Sequence, residues 1–106
     1  MENQNLTQID VSVVVIGRNE GSRLERCLQS VVQAHWGSAR HELIYVDSRS
    51  TDQSVASAQA LGAKVIVLDD ASPCASKARN LGWQAAGGEF VLFLDGDTEL
   101  HPDFVK

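Results

Sequence analysis

Four short runs of apolar residues, rich in β-branched side chains, are spaced along the chain of 106 residues. They cover residues 11–17, 41–47, 63–68 and 89–95. Their interiors are nearly continuous in apolar residues and do not alternate strictly with polar ones, as expected of strands that are covered on both faces. The pattern therefore predicts four buried β-strands.

The segments between these runs have helical spacing. In the first, the residues Leu24, Cys27, Leu28, Val31 and His35 fall on one helical face. The second begins near residues 50–53, whose sequence Ser-Thr-Asp-Gln resembles a capping box, and ends at Gly62. The third extends from about residue 76 to 86 and stops at a pair of glycines. The predicted order is β-α-β-α-β-α-β.

This order predicts an α/β fold with a Rossmann-like open parallel sheet of four strands. Each connection is long enough for a right-handed crossover helix, and we expect the strand order 3-2-1-4. In that order the winding reverses between strands 1 and 4, and ligands of such sheets bind there, outside the carboxyl ends of the strands. The fold therefore predicts a site formed by residues 17–20, 47–52 and 95–97.

Two carboxylates stand at the end of the fourth predicted strand. Asp95 and Asp97 flank Gly96, and in an extended chain their side chains point to the same side, with Cα atoms about 6–7 Å apart. Such a pair is tolerated when a divalent cation lies between it and an anionic ligand. The alternative is a tight turn, because Asp-Gly is also a turn signal.

Further polar residues lie near the other strand ends. Asp47 can accept hydrogen bonds from a base or a ribose, although the residues around it are also typical of a helix-entry turn. Lys77 and Arg79 lie near the start of the third helix, where free N–H groups favour anions such as phosphate; solvated surface charge is the alternative. An exposed Trp83, four residues after Arg79, would suggest cover from another segment or chain.

Composition narrows the class of protein. The net charge is −5 and the apolar share is 43%, which fits a globular domain and disfavours a general nucleic-acid binder. No apolar run approaches the roughly 20 residues of a membrane span, and the polar N-terminus does not resemble a signal peptide. The two cysteines form neither a metal motif nor a disulfide framework, so we expect a reduced, cytoplasmic setting. Residues 1–10 are expected to be a flexible lead and residues 11–106 one domain.

Taken in order, the segments VSVVVIGRNE, IYVDSRSTDQS and SKARNLGWQAAGGEFVLFLDGDTELHPDFV resemble the N-terminal half of family 2 glycosyltransferases of the GT-A fold. The resemblance implies a nucleotide-diphospho-sugar donor, most often a UDP-sugar, and Mg²⁺ or Mn²⁺ bound through the DxD motif. By position it implies that the base is flanked by Ile16 and Arg18 and contacted by Asp47. Asp95 would bind the ribose or the metal-bound diphosphate, and Asp97 would be the principal metal ligand. Three further residues complete the predicted nucleotide-sugar site by their place in the predicted fold: Glu20 after the first strand, and Lys77 and Arg79 near the start of the third helix.

The resemblance also implies what this chain does not carry. In the family, the acceptor site and the carboxylate that acts as general base follow the DxD motif, whereas this chain ends nine residues after Asp97. We expect a truncated donor-binding portion that is inactive alone and could pair with a second copy as a homodimer. The parent enzyme would glycosylate a glycan, lipid or protein, as in polysaccharide biosynthesis, at the inner face of a membrane. The alternative is a non-catalytic nucleotide-sugar-binding or regulatory module.

Overall fold

The computed structural model describes residues 8–69 and 74–104 and shows the predicted architecture. Four parallel strands form one open sheet in the order β3-β2-β1-β4. This confirms the predicted fold class and strand order. The elements in chain order are β1 (Ile9–Gly17), α1 (Ser22–Val32), β2 (His41–Asp47), α2 (Ser54–Ala60), β3 (Lys64–Val67), α3 (Ala75–Ala85) and β4 (Gly88–Asp95).

The first strand begins earlier than the sequence pattern indicates. Ile9 pairs with Gly88 of β4, and Asp10 exchanges hydrogen bonds with Arg40: the Asp10 N–H donates to the Arg40 carbonyl and the Arg40 N–H donates to the Asp10 carboxylate, both at 2.8 Å. Residues 9 and 10 therefore belong to the sheet and not to the predicted lead. Residues 1–7 of that lead lie outside the described part of the chain.

The second helix begins at Ser54, later than the capping box at residues 50–53 suggests. The carboxylate of Asp52 accepts hydrogen bonds from the Ser54 N–H at 2.9 Å and the Ser54 hydroxyl at 2.5 Å. These bonds lower the pKa of Asp52. Ser50 does not cap the helix, because its hydroxyl oxygen accepts from the Asn19 N–H instead.

The core has two halves, one on each face of the sheet. On β1, Val13 and Val15 face the layer of α1 and α2, while Val14 and Ile16 face α3. This alternation within a continuous apolar run is what a strand buried on both faces requires. Of the predicted α1 face, Leu24, Cys27, Leu28 and Val31 are buried, whereas His35 lies beyond the helix end and is exposed.

Helix α3 packs very closely on the sheet at Gly82. A Cβ atom added there would lie 2.3 Å from Cγ1 of Val14, so only glycine allows this approach. Trp83, on the other side of the helix, is 60% exposed, as predicted from its position opposite the packed face. Within residues 8–69 and 74–104, no helix is long and apolar enough to cross a membrane.

Candidate functional site

The ends of β1, β2 and β4 lie side by side at one edge of the sheet. Gly17 of β1 pairs with Asp47, and Ile16 pairs with Asp95. The ladder continues past the strand ends, because the Ser48 N–H donates to the Gly17 carbonyl at 3.0 Å and the Gly96 N–H donates to the Ile16 carbonyl at 2.8 Å. The three segments that the sequence nominated are thus brought together.

A cavity of about 380 Å³ opens at this edge, between the strand ends and the start of α3. Five of the predicted site residues line it: Ile16, Arg18, Glu20, Asp95 and Asp97. Gly17 and Ser48, which also line the cavity, lie in the predicted segments 17–20 and 47–52. The other lining residues, which the sequence did not indicate as part of the site, are Cys74, Ala75 and Ala78.

The register decides which strand-end side chains can reach this cavity. Paired residues on neighbouring parallel strands face the same side of the sheet, and successive residues face opposite sides. Ile16 and Asp95 are paired, and Ile16 packs on the α3 side, where the cavity lies. Asp47 is paired with the next residue, Gly17, and therefore faces the side of α1 and α2 together with Tyr45.

Asp47 is accordingly buried, with only 1% of its surface exposed. One carboxylate oxygen accepts hydrogen bonds from the Tyr45 hydroxyl and the Ser50 hydroxyl, both at 2.6 Å, and the other accepts from the Ser50 N–H at 2.7 Å. Burial, followed by the bond to this carboxylate, raises the pKa of Tyr45. The sequence predicts a contact between Asp47 and a base, whereas in this structure the Asp47 side chain lies away from the cavity and Ser48 lines it.

The loops that follow β1 and β2 are joined by hydrogen bonds. The Asn19 N–H donates to the Ser50 hydroxyl and the Thr51 N–H donates to the Asn19 side-chain oxygen, both at 2.8 Å. Asn19 has a φ of 54°, a left-handed conformation that asparagine tolerates better than most residues. Because Asn19 is turned toward the β2 loop, its neighbours Arg18 and Glu20 are left to line the cavity.

The DxD segment forms a tight turn, as one of the two interpretations predicts, and both of its carboxylates line the cavity. The Thr98 N–H donates to the Asp95 carbonyl at 2.9 Å. A Cβ atom on Gly96 would lie 3.1 Å from both Cγ of Glu20 and the Ile16 carbonyl oxygen. The glycine therefore lets the turn lie directly against the end of β1.

The three cavity carboxylates have different surroundings. Asp95 lies 3.6 Å from a guanidinium nitrogen of Arg79, and Glu20 forms an ion pair with Arg23 at 3.0 Å. Among the described residues, no hydrogen bond or ion pair involves the Asp97 side chain. The pair of Arg79 and Asp95 is exposed on both sides, where such contacts stabilise a fold by at most about 1 kcal/mol, so a ligand can replace it.

The two residues predicted to contact phosphate lie outside the cavity lining. Neither Lys77 nor Arg79 lines the cavity; both are exposed on α3. Arg79 is nevertheless connected to the site through its ion pair with Asp95. The predicted contacts of Lys77 and Arg79 with phosphate stay predictions, and the observed link to the site is the ion pair between Arg79 and Asp95.

The carboxylates fit a hard divalent cation that receives further ligands from its substrate. In the described part of the chain, no group of three or more His, Cys, Asp or Glu side chains could hold a metal by itself. Mg²⁺ is usually held by one or two carboxylates together with substrate phosphates and water, and Mn²⁺ also favours oxygen ligands. Asp95 and Asp97, exposed at the cavity, are such an oxygen donor pair.

The two cysteines differ in environment. Cys27 is fully buried beneath the DxD turn, its Sγ lies 3.7 Å from the Asp95 carbonyl oxygen, and burial together with the charge of Asp97 raises its pKa to about 12. It is a neutral thiol and not a nucleophile. Cys74 is exposed and lines the cavity just before α3. Its position just before the third predicted helix, close to the strand ends, is the sequence feature that could have indicated its place at the cavity.

Comparison with protein families agrees with this arrangement. A family model described as glycosyl transferase family 2 matches residues 12–106. The chain is 34% identical over 95 residues to the uncharacterized glycosyltransferase YibD of Escherichia coli, a match that covers 87% of this chain and 27% of YibD.

Solved structures show the same fold. The Staphylococcus aureus protein TarS, residues 1–349, in complex with UDP-GlcNAc superimposes with a TM-score of 0.78 at 31% identity, covering 89% of this chain and 28% of that one. Glucosyl-3-phosphoglycerate synthase from Mycobacterium tuberculosis, in complex with Mn²⁺, UDP and glucosyl-3-phosphoglycerate, gives a TM-score of 0.71 at 31% identity, covering 89% and 36%.

The chain thus spans about a quarter to a third of the length of these proteins. The match to the family model nevertheless covers nearly all of its residues, including every residue that lines the cavity. The chain belongs to glycosyl transferase family 2 and has the GT-A fold of that family.

Proposed function

We propose that this chain is the donor-binding part of a glycosyltransferase that moves a sugar from a nucleotide-diphospho-sugar to an acceptor hydroxyl. The observation that carries the proposal is the convergence of Asp95 and Asp97 with the β1 loop at one cavity. A cavity of that size, open at the winding reversal of a parallel sheet, is where such folds bind nucleotides. We assign the donor-binding domain to residues 9–106, because β1 begins at Ile9 and the family match extends to residue 106.

The relatives favour a particular class of donor. TarS has been solved with UDP-GlcNAc, and glucosyl-3-phosphoglycerate synthase with UDP and Mn²⁺. Both are 31% identical to this chain over most of its length. We therefore infer a UDP-sugar as donor and Mg²⁺ or Mn²⁺ as cofactor.

Each lining residue receives a role that its chemistry supports. Ile16 offers the base an apolar contact, and Arg18 offers it a planar cation. The Ser48 hydroxyl offers the base a hydrogen-bonding contact. Asp97 is proposed as the principal metal ligand, since no described partner competes for its carboxylate. Asp95 would bind the ribose or the metal-bound diphosphate, which would release Arg79 to act on the diphosphate charge.

The proposed reaction is displacement at the anomeric carbon of the sugar by an acceptor hydroxyl. A bound divalent cation supplies charge neutralisation for the departing nucleoside diphosphate. The residues of this chain bind the donor and orient its anomeric carbon, but Glu20, Asp95 and Asp97 all lie on the donor side. The general base is assigned to no described residue, so we expect the 106-residue chain to bind donor without transferring sugar.

Isothermal titration with UDP and UDP-GlcNAc, each with and without Mn²⁺, tests this proposal. We expect binding that requires metal and that Asp97→Asn weakens at least about tenfold, the effect of losing one charged ligand worth about 1.4 kcal/mol or more. Glu89→Gln, an exposed acid at the opposite end of β4, is the matched control and should bind like the unmodified chain. Absence of binding at millimolar nucleotide, or equal binding by Asp97→Asn, would contradict the proposal.

The alternative of a regulatory nucleotide-binding module makes a different prediction in the same experiment. Such a module has no need of a metal, because it does not stabilise a leaving group. Nucleotide binding that is independent of Mn²⁺ and unchanged in Asp97→Asn would favour it over the transferase.

A further inference from the structure

The buried carboxylate of Asp47 is connected to the cavity through other residues. It lies on the opposite face of the sheet from Ile16 and Asp95, and its two oxygens are occupied by Tyr45 and Ser50. A carboxylate that accepts three hydrogen bonds within the fold has little capacity left for a ligand. Its influence on the site must therefore pass through its partners.

Ser50 is the partner that leads to the cavity. Its hydroxyl donates to Asp47 at 2.6 Å, and this fixes the hydroxyl orientation so that the oxygen accepts from the Asn19 N–H at 2.8 Å. The Asn19 side chain in turn accepts from the Thr51 N–H. The chain of bonds from Asp47 to Ser50 to Asn19 thus spans two loops that are about 30 residues apart in sequence.

Asn19 stands between the two cavity residues of the β1 loop. Its left-handed backbone, at φ 54°, is a conformation that residues other than glycine hold only with support from their surroundings. The bond from its N–H to Ser50 supplies that support and turns Asn19 away from the cavity. Arg18 and Glu20, on either side, are thereby held against the cavity.

We propose that Asp47 is a positioning residue, which acts through Ser50 and Asn19 to hold Arg18 and Glu20 in the place that nucleotide binding requires. This inference rests on the proposed function of the cavity and adds a residue that does not touch the ligand. It also explains why an acidic side chain is buried at the end of β2.

The test measures UDP binding in Mn²⁺ together with amide hydrogen exchange of the whole chain. Ser50→Ala removes the hydroxyl but keeps the N–H that Asp47 accepts, and we expect it to weaken UDP binding about tenfold and to lose protection at the Asn19 amide. Ser50→Thr restores a hydroxyl and should return both measurements to within about twofold of the unmodified chain. Asp47→Asn, which cannot accept with both side-chain atoms, should resemble Ser50→Ala.

A buried serine at the other end of the sheet is the control for general destabilisation. The Ser12 hydroxyl donates to Glu42 at 2.5 Å and accepts from the Gly88 N–H at 2.8 Å, far from the cavity. Ser12→Ala should lower the melting temperature but leave UDP affinity and Asn19 protection unchanged. Equal UDP affinity in Ser50→Ala and the unmodified chain, or equal losses in Ser50→Ala and Ser12→Ala, would overturn the inference.

The two proposals fail in distinguishable ways. If the unmodified chain binds no nucleotide, the proposed function of the cavity has failed. Amide hydrogen exchange then still tests the positioning role. Loss of protection at the Asn19 amide in Ser50→Ala and its return in Ser50→Thr would support the link from Asp47 through Ser50 to Asn19. Unchanged protection in Ser50→Ala overturns it whatever the nucleotide result.

Discussion

The close contact between α3 and β1 predicts that Gly82→Ala lowers the free energy of unfolding. The added Cβ would lie 2.3 Å from Cγ1 of Val14 and 3.3 Å from its Cγ2. Carbon atoms normally approach to about 3.5–4.0 Å, so helix and strand must separate by more than 1 Å or Val14 must leave its rotamer. Val14 is fully buried and β-branched, and neither movement is easy.

Two opposing effects decide the magnitude. Replacing a helix-interior glycine by alanine ordinarily stabilises a helix by about 1 kcal/mol, whereas overpacking a core costs about 1–3 kcal/mol. With an overlap this large we take the upper end of that cost, so the free energy of unfolding should fall by about 2 kcal/mol. In a chain of this length the melting temperature should fall by about 10 °C.

Urea denaturation of four variants would measure this effect. Asn80→Ala, exposed on the same helix, is the matched control and should be neutral or slightly stabilising. Val14→Ala removes the two methyl groups that clash, so the double variant with Gly82→Ala should be at least about 1 kcal/mol more stable than the sum of the single effects. If Gly82→Ala alone were as stable as the unmodified chain, our account of the α3 packing would be wrong.

Two further predictions concern the thiols and the stacked histidine. A thiol reagent should label Cys74 rapidly and Cys27 only on unfolding, since Cys27 is buried with a pKa of about 12. UDP with Mn²⁺ should slow the labelling of Cys74, which lines the cavity. Fast labelling of both thiols, or labelling of Cys74 that UDP does not slow, would count against this assignment. The ring of His41 stacks on Trp36 with centroids 4.1 Å apart, and burial lowers its pKa from the ordinary 6.5. The unfolded chain therefore takes up the proton first as pH falls, so the free energy of unfolding should decrease from about pH 6.5 downward. Urea denaturation at pH 7.5 and pH 5 should show a smaller decrease for His41→Phe than for the unmodified chain, and an equal decrease would refute the assignment.

The sheet could be predicted from sequence because its signals are local. Each strand is a continuous run of apolar residues, and its predicted bounds differ from the observed ones by at most two residues at either end. The start of α2 could not be predicted in the same way. Ser50 is a residue type that often caps helices, but its hydroxyl donates to Asp47 and accepts from the Asn19 N–H. Asn19 reaches Ser50 only because the sheet places the loops after β1 and β2 side by side.

The cavity residues were predictable to the extent that they stand at strand ends. Asp95 and Asp97 follow β4 directly, and Ile16 and Arg18 flank the end of β1. The face on which a strand-end residue lies depends on register, which the sequence leaves open until strands are paired. Once Gly17 is paired with Asp47 and Ile16 with Asp95, alternation alone places Asp47 on the far side and Ser48 at the cavity.

The edge strand β4 has a practical consequence for handling this polypeptide. In the described part of the chain β4 has a neighbour on one side only, and two aromatic rings on its opposite faces, Phe90 and Phe93, are 65% and 38% exposed. An edge strand with unpaired main-chain donors and acceptors and exposed aromatic side chains can pair with other molecules and cause aggregation. Scattering and sedimentation should therefore accompany every titration, with protein kept dilute, so that clustering is not mistaken for weak affinity.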